Sequence, residues 1–155
     1  GEQGEIVGHS AGMMSGYYRL EGKTREAEWF DAQGKRFIRS GDVGRLDADG
    51  FIVLGDRKKD MIITGGFNVY PAEVEQVLAR IDGVTESAVI GMPDERLGEV
   101  GKAFLTVRAD AVVEEDTVIA YCREYLANFK VPRSVQIIDT FPRNASGKIL
   151  KRELS

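Results

Sequence analysis

The sequence predicts an α+β fold in two parts. We expect an antiparallel β segment over residues 1–58 and a small second domain over residues 59–155, in which helices flank a mixed sheet. Two observations support this division. Short alternating strands and glycine turns fill the first part, whereas helical and strand patterns alternate in the second. The charged cluster 57–60 separates the two patterns, so we place the boundary between the domains near Lys59.

The first part consists of strands and turns. "GEIVGHS" alternates apolar and polar residues from the first residues of the chain. "GRLDADGFIVLGD" is the clearest hairpin, because Asp49-Gly50 supplies a left-handed turn between two strand patterns. After the charged cluster, "MIIT" predicts a short apolar strand that the pair Gly65-Gly66 ends.

The second part begins with a helix in "YPAEVEQVLARIDGV". Pro71 suits the first helical turn and Gly83 offers a stop. The residues expected to form its buried stripe are Val74, Val77, Leu78 and Ile81. "ESAVIGM" and "GKAFLTVRA" predict two strands.

A second helix is predicted in "EEDTVIAYCREYLANF". We expect it to bury some combination of Val118, Cys122, Tyr125 and Phe129, with Tyr121 or Leu126 as alternative members. "SVQIID" predicts a last strand, and "ILKREL" a short helix at the end of the chain. No internal repeat is evident.

Composition excludes several classes of protein. The 155 residues, 43% hydrophobic and 30% charged, suit one globular domain or two small ones, and no apolar run reaches the roughly 20 residues of a membrane span. The start of the chain lacks the pattern of a signal peptide, and the single cysteine fits a reducing compartment, so we expect a cytoplasmic protein. The net charge of −4 argues against a nucleic-acid partner.

The sequence argues against three familiar kinds of site. "GHSAG" matches the serine-hydrolase elbow, but the only histidine, His9, directly precedes Ser10 and cannot fold back onto it, so a glycine-rich turn is the better interpretation. One histidine and one cysteine far apart cannot build a zinc site. "NASGK" lacks the first glycine and the final hydroxyl residue of a P-loop.

Two residues keep alternative interpretations on spacing alone. Lys148 follows Gly147 in a loop that we expect to be flexible, where a lysine is usually a solvated charge. Asp42 of "RSGD" could accept hydrogen bonds from a ribose diol or close an Asx-turn, and spacing favours the turn.

The order of the motifs is more specific than any one of them. "GEIVGHSAGMMSGYY", "RSGDVGRLDADG", "GDRKKDMIITGGFNVYPAEVE" and "FPRNASGKILKREL" together resemble the adenylate-forming enzymes, and most closely the acyl-CoA synthetases, the fatty-acid and aryl-acid CoA ligases. The resemblance covers essentially the whole chain but only the last portion of such an enzyme. It implies that residues 1–58 end the large AMP-binding domain and that residues 59–155 are its mobile C-terminal lid.

The resemblance also implies roles for individual residues. Asp42 would hold the ribose hydroxyls of ATP and AMP, and Arg57 would contact the same ribose, although Ser40 replaces the threonine usual in this motif. Lys59 falls on the hinge position, and Lys148 on the lysine of the adenylation step.

The Gly65–Asn68 loop would line the path of coenzyme A. Its residues are Gly65, Gly66, Phe67 and Asn68. Some relatives carry a lysine where this chain has Gly65, so the resemblance assigns that position only a close backbone approach.

The implied reaction has two halves and needs ATP, Mg²⁺ and coenzyme A. A carboxylic acid and ATP give acyl-AMP and pyrophosphate; acyl-AMP and coenzyme A then give acyl-CoA and AMP. Two alternatives stay open: transfer of the acyl group to a carrier protein, or a nonenzymatic binding module with the lid fold. The implied partner is the missing N-terminal domain of the same protein, without which we expect no turnover. By this resemblance, the pocket that selects the acyl substrate would lie upstream of residue 1.

Overall fold

A computed structural model describes residues 2–154, and the chain forms two compact units that meet between Lys59 and Asp60. The elements of the first unit are β1 (Gly4–Gly8), α1 (Glu21–Ala27), β2 (Glu28–Phe30), β3 (Arg36–Leu46), β4 (Ile52–Arg57) and a 3₁₀ turn at Lys58–Asp60, which spans the boundary. Those of the second are β5 (Ile62–Thr64), β6 (Phe67–Val69), α2 (Pro71–Leu78), β7 (Val84–Asp94), β8 (Gly98–Val107), α3 (Glu115–Tyr125), β9 (Ser134–Ile137) and 3₁₀ turns at Asn128–Lys130 and Lys151–Glu153.

The first unit is a four-stranded antiparallel sheet built around β3. Strands β1 and β2 pair with β3, and β4 pairs with its C-terminal half. The hairpin predicted at Asp49-Gly50 is confirmed: Gly50 has a φ of 85°, and β3 and β4 flank the turn. The expectation of strands and turns alone is wrong in one respect, because α1 is a helix that the sequence analysis missed.

The second unit is a five-stranded mixed sheet with helices α2 and α3. The long strands β7 and β8 form an antiparallel hairpin, β5 and β6 extend the sheet, and β9 pairs parallel with β8. The predicted α+β class with a mixed sheet flanked by helices is confirmed. None of the helices in residues 2–154 has the length and apolar character that a bilayer crossing demands.

Two apolar clusters lie on opposite faces of this sheet. Val89 faces Ala103 across the β7–β8 pair, and both belong to the cluster that includes the buried residues of α2 and α3. Ala88 faces Phe104 on the other side, where the second cluster includes residues of the C-terminal segment: Phe141, Ile149 and Leu154. Because neighbouring residues of a strand point to opposite faces, these adjacent pairs separate the two cores.

The helix boundaries differ from those predicted. α2 begins at Pro71 as expected and buries Val74, Val77 and Leu78, but it ends at Leu78, and Ile81 packs on the core from beyond the helix. Gly83 therefore is not the stop.

The second helix is shorter than predicted. α3 ends at Tyr125, which is 54% exposed, so Tyr125 is not part of the buried combination. Val118 and Cys122 are buried as expected, and the alternatives Tyr121 and Leu126 pack on the core.

Candidate functional site

Asp42 and Arg57 form an ion pair across neighbouring strands. They are register partners in β3 and β4, and the Arg57 Nε lies 2.9 Å from the Asp42 Oδ1. Arg57 Nη1 also donates to the Ser40 carbonyl at 3.3 Å, and the Ser40 hydroxyl accepts the Asp42 N–H at 3.0 Å. The carboxylate thus faces a guanidinium, and the Asx-turn favoured by spacing is wrong. Both side chains are partly exposed, which leaves an acceptor beside a donor for a polar ligand.

The segment before Lys59 is tied to the first strand. Glu5 Oε2 accepts from Arg39 Nη1 at 2.8 Å and from Lys58 Nζ at 2.9 Å. The Lys58 hydrogen bond is the largest influence and Arg39 adds to it, so the pKa of Glu5 lies below its ordinary value although burial opposes the shift. Lys59 is exposed and lies directly beyond this anchor, at the boundary of the two units.

The Gly65–Asn68 loop is an exposed tight connection. Gly65 and Gly66 have φ of 57° and 86°, backbone that glycine adopts without the strain of a side chain. Phe67 and Asn68 begin β6, and the Phe67 ring stacks on Phe129 with centroids 4.7 Å apart. The backbone of this loop is therefore open to an approaching ligand.

A cavity of about 370 Å³ lies beside this loop. Its lining includes Gly65 and Phe67, together with three arginines, Arg96, Arg123 and Arg133. Within the described part of the chain, none of the three guanidinium groups takes part in an ion pair shorter than 4 Å. The arrangement combines an apolar wall with three positive charges, two of which, Arg96 and Arg133, also act on the Asp94 carboxylate. Such a wall suits a ligand that carries both an apolar arm and phosphates.

Lys148 lies in a hairpin formed by residues 143–149, which we call the Lys148 hairpin. Arg143 and Ile149 pair across its base. The Asn144 side-chain oxygen accepts three hydrogen bonds, from the Ser146 N–H at 3.0 Å, the Ser146 hydroxyl at 2.8 Å and the Lys148 N–H at 2.9 Å. The expected flexible loop is thus a closed turn. Among residues 2–154 the Lys148 ammonium forms no ion pair, and its side chain is exposed.

Ion pairs on both sides attach the Lys148 hairpin to the sheet. Arg143 Nη1 donates to the Gly147 carbonyl at 2.7 Å, and its other terminal nitrogen pairs with Glu86 of β7. Past the hairpin, Lys151 Nζ lies 2.8 Å from the Glu75 Oε1, the same oxygen that accepts the Val89 N–H. These ion pairs therefore hold the hairpin against the sheet and against α2.

The turn of this hairpin occurs three times within residues 2–154. "DAQGK" (31–35), "DADGF" (47–51) and "NASGK" (144–148) each begin with Asp or Asn, whose side-chain oxygen accepts from the second and fourth following N–H groups. In each, the first and last residues form a backbone hydrogen bond, and the fourth residue is a glycine with φ near 80°.

The prediction that the chain has no internal repeat is therefore wrong at this short length. The signal was present in the shared order Asp or Asn, Ala, any residue, Gly. Since the turn recurs where we assign no ligand, its geometry alone does not indicate chemistry.

Other candidate groups are inert. The His9 Nδ1 lies 2.8 Å from the Arg36 carbonyl, which fits the structural role expected of it. Burial raises the pKa of the Cys122 thiol to about 11. No cluster of three or more potential metal ligands occurs in residues 2–154, so the residues of this chain do not fit a Mg²⁺ site of their own.

The candidate residues fall into two groups. Asp42 and Arg57 are joined in the first unit. The Gly65–Asn68 loop and Lys148 belong to the second unit, and they lie at separate places within it.

Comparison with known proteins identifies relatives along the whole chain. Residues 73–148 match the family described as the AMP-binding enzyme C-terminal domain. The 3-[(3aS,4S,7aS)-7a-methyl-1,5-dioxo-octahydro-1H-inden-4-yl]propanoyl:CoA ligase of Rhodococcus jostii (strain RHA1) is 54% identical over 154 residues, which are 99% of this chain and 29% of that protein. The feruloyl-CoA synthase of an Amycolatopsis species is 45% identical, over 99% of this chain and 30% of its own length.

Solved structures agree in fold. ATP-bound MatB from Rhodopseudomonas palustris matches with a TM-score of 0.90 and 38% identity, over 99% of this chain and 30% of that one. The o-succinylbenzoate CoA synthetase of Bacillus subtilis, in complex with its acyl-adenylate intermediate, matches with a TM-score of 0.85 and 38% identity, over the same shares. The chain thus spans about three tenths of the length of these relatives.

Proposed function

The chain belongs to the adenylate-forming acyl-CoA synthetases and corresponds to their C-terminal portion, and from this premise we propose that the full-length protein is an ATP-dependent carboxylate–CoA ligase. In this proposal residues 1–58 end the large AMP-binding domain, and residues 59–155 are a lid that turns about Lys59. The observation that carries it is Lys148, an exposed ammonium without an ion-pair partner in residues 2–154, in a hairpin of the matched domain.

Adenylation explains what such an ammonium would do. The reaction joins a carboxylate to the α-phosphate of ATP while pyrophosphate leaves, so two anions must approach. A lysine that contacts oxygens of both groups offsets their repulsion and aligns the attack. A long stem with a compact charge suits this task. ATP enters as its Mg²⁺ complex, with the ion held by the phosphates.

Asp42 and Arg57 would hold the ribose of ATP and then of AMP. The carboxylate accepts hydrogen bonds from the two ribose hydroxyls, and the neighbouring guanidinium orients it. The 2.9 Å ion pair supports this role because it fixes the carboxylate before a ligand arrives.

The cavity beside the Gly65–Asn68 loop favours coenzyme A as the acceptor. A pantetheine arm is narrow and needs close backbone approach, which the exposed glycines permit. The phosphates at the other end of coenzyme A could bind Arg96, Arg123 and Arg133, which line the same cavity. A carrier-protein acceptor is the competing candidate, and a direct comparison of coenzyme A with a phosphopantetheinylated carrier protein as acceptors separates the two.

The chain alone should lack turnover. Strand β4 exposes apolar side chains on both of its faces, among them Ile52, Val53 and Leu54. A strand with two apolar faces is typical of the interior of a larger body. We propose that the missing N-terminal domain covers this strand and supplies the acyl pocket. Sustained thioester formation by the isolated chain would contradict this.

The central test separates the two half-reactions in the full-length protein. Lys148→Ala should lower carboxylate-dependent exchange of pyrophosphate into ATP by about 10²–10³-fold, the size of losing one transition-state charge contact. Thioester formation from a ready-made acyl-adenylate should be largely spared. Lys35→Ala is the matched control, because Lys35 takes the same place in the "DAQGK" turn of the first unit. Unchanged exchange in Lys148→Ala would remove Lys148 from the mechanism.

A further inference from the structure

The three copies of the five-residue turn differ in the charge of their first residue. Asp31 and Asp47 begin two of them with a carboxylate, whereas Asn144 begins the copy that precedes Lys148 with a neutral amide. The hydrogen bonds to the fourth following N–H are equivalent, at 2.8, 2.9 and 2.9 Å. A carboxylate would therefore close the turn at position 144 as well as the amide does, and the amide needs another reason.

The Asn144 side chain determines where the lysine leaves the hairpin. Its oxygen binds the Lys148 N–H and both donors of Ser146, so one atom holds three of the groups that would otherwise turn toward water. Without that acceptor, the exposed residues 145–147 gain conformational freedom, and the lysine samples many positions. A group that must contact two reacting anions at once loses rate when it is misplaced by about 1 Å.

The charge at position 144 also acts on the reaction. A carboxylate in place of the Asn144 amide would lie within hydrogen-bond distance of the Lys148 N–H, at the base of the side chain that carries the ammonium. It would offset the positive charge of the lysine and repel the phosphates. At an exposed turn this repulsion is modest and screened by salt.

We propose that Asn144 is the positioning residue of Lys148: its amide oxygen closes the turn that carries the lysine, and its neutrality keeps the site attractive to phosphate. This inference rests on the proposed adenylation role of Lys148. Asn144 acts through the lysine and touches neither substrate.

The experiment uses the full-length protein and three substitutions at one position. Asn144→Ala removes the acceptor, Asn144→Asp keeps it and adds a charge, and Asn144→Thr supplies a weaker neutral acceptor. Asp31→Ala and Asp31→Asn make the matching changes in the twin turn. Each variant is assayed in both half-reactions at low and high salt, and hydrogen exchange of residues 144–149 reports whether the turn is closed.

We expect Asn144→Ala to lower adenylation at least tenfold at every salt concentration, to speed exchange only in the hairpin and to spare thioester formation. Asn144→Thr should regain part of the loss. Asn144→Asp should keep the hairpin protected and lower adenylation about threefold to tenfold at low salt, with recovery at high salt. Both Asp31 variants should behave as the unmodified protein does.

The double variant with Lys148→Ala tests whether Asn144 acts through the lysine. Adding Asn144→Ala should then cause no further loss of adenylation, because the residue it positions is gone. Additive losses, equal loss of both half-reactions, or full adenylation by Asn144→Ala would each overturn the positioning role. Full activity of Asn144→Asp at low salt would overturn the role of neutrality. If Lys148→Ala alone leaves adenylation intact, the proposed role of Lys148 is contradicted. This single variant therefore distinguishes failure of the proposed function from failure of the positioning role of Asn144.

Discussion

Substitution by valine should have opposite effects on stability at two buried threonines of the second unit. Thr64 and Thr106 are each 7% exposed. The Thr106 hydroxyl is 2.7 Å from that of Thr85, whereas the Thr64 hydroxyl has no hydrogen-bond partner among the described residues. Valine has the shape of threonine without the hydroxyl. We therefore expect Thr64→Val to stabilise the unit and Thr106→Val to destabilise it.

The magnitudes follow from the cost of an unpaired buried polar group. Leaving a hydroxyl unsatisfied costs about 1–3 kcal/mol, so removing that of Thr64 should raise the free energy of unfolding by about 1 kcal/mol. Thr106→Val loses a hydrogen bond and leaves Thr85 without its partner, so it should lower that free energy by roughly 1–2 kcal/mol. For a unit of roughly 100 residues, 1 kcal/mol shifts the melting temperature by about 4–8 °C.

Urea and thermal unfolding of the chain, followed by circular dichroism, measure both changes. Thr64 also lines the cavity beside the Gly65–Asn68 loop, so Thr64→Val in the full-length protein should raise the KM for coenzyme A while the lid becomes more stable. A loss of stability in Thr64→Val as large as that in Thr106→Val would refute the reasoning, because it would mean that a cavity water satisfies the Thr64 hydroxyl.

Three further predictions concern the backbone, the pH dependence and the hinge. Gly83→Ala should destabilise by about 1–3 kcal/mol more than Gly66→Ala in urea unfolding, since both have φ above 85° but only at Gly83 would a Cβ lie 2.5 Å from Ala111. Glu5→Gln should lower stability above pH 4.5, the ordinary pKa of Glu5, by about 1–2 kcal/mol, and the difference should vanish as pH falls through the lowered pKa of the folded state; a pH-independent difference would contradict the assigned cause. Lys59→Pro fixes a φ compatible with the observed 3₁₀ turn and opposes the dihedral change that the proposed hinge needs. It should therefore spare one half-reaction and impair the other, and an equal effect on the rates of both half-reactions would argue against the hinge.

Much of the fold could be predicted because its signals are local. Pro71 marks the start of α2, and alternation marks the long strands β7 and β8. The failures arise where tertiary packing decides. Tyr125 has the helical spacing of a buried residue, yet α3 ends there and its ring lies beside Tyr121 at the surface.

The candidate site was predictable as a set of residues and not as an arrangement. The resemblance supplied Asp42, Arg57 and Lys148, but the ion pair that joins Asp42 and Arg57 across two strands was not predicted. The arginines of the cavity were not predicted either. Arg96 lies in the turn between β7 and β8, whereas Arg133 lies far along the sequence, in the loop after α3, and only the folded structure brings them together. Long-range proximity of this kind leaves no periodic signal.

The position of the two sites within the second unit bears on how one domain could serve two half-reactions. Ile149 of the Lys148 hairpin packs on the cluster of Ala88 and Phe104. The cavity side chains Phe129 and Val131 pack instead on the cluster that includes Ala103, on the opposite face of the same sheet. Because the hairpin and the cavity both pack on one sheet, neither would have to be rebuilt if the second unit turned about Lys59 as proposed. A rotation of the whole unit would withdraw the lysine as it presents the coenzyme A side, so the ion pairs of Arg143 and Lys151 would make the exchange of sites a rigid-body motion rather than a rearrangement of loops.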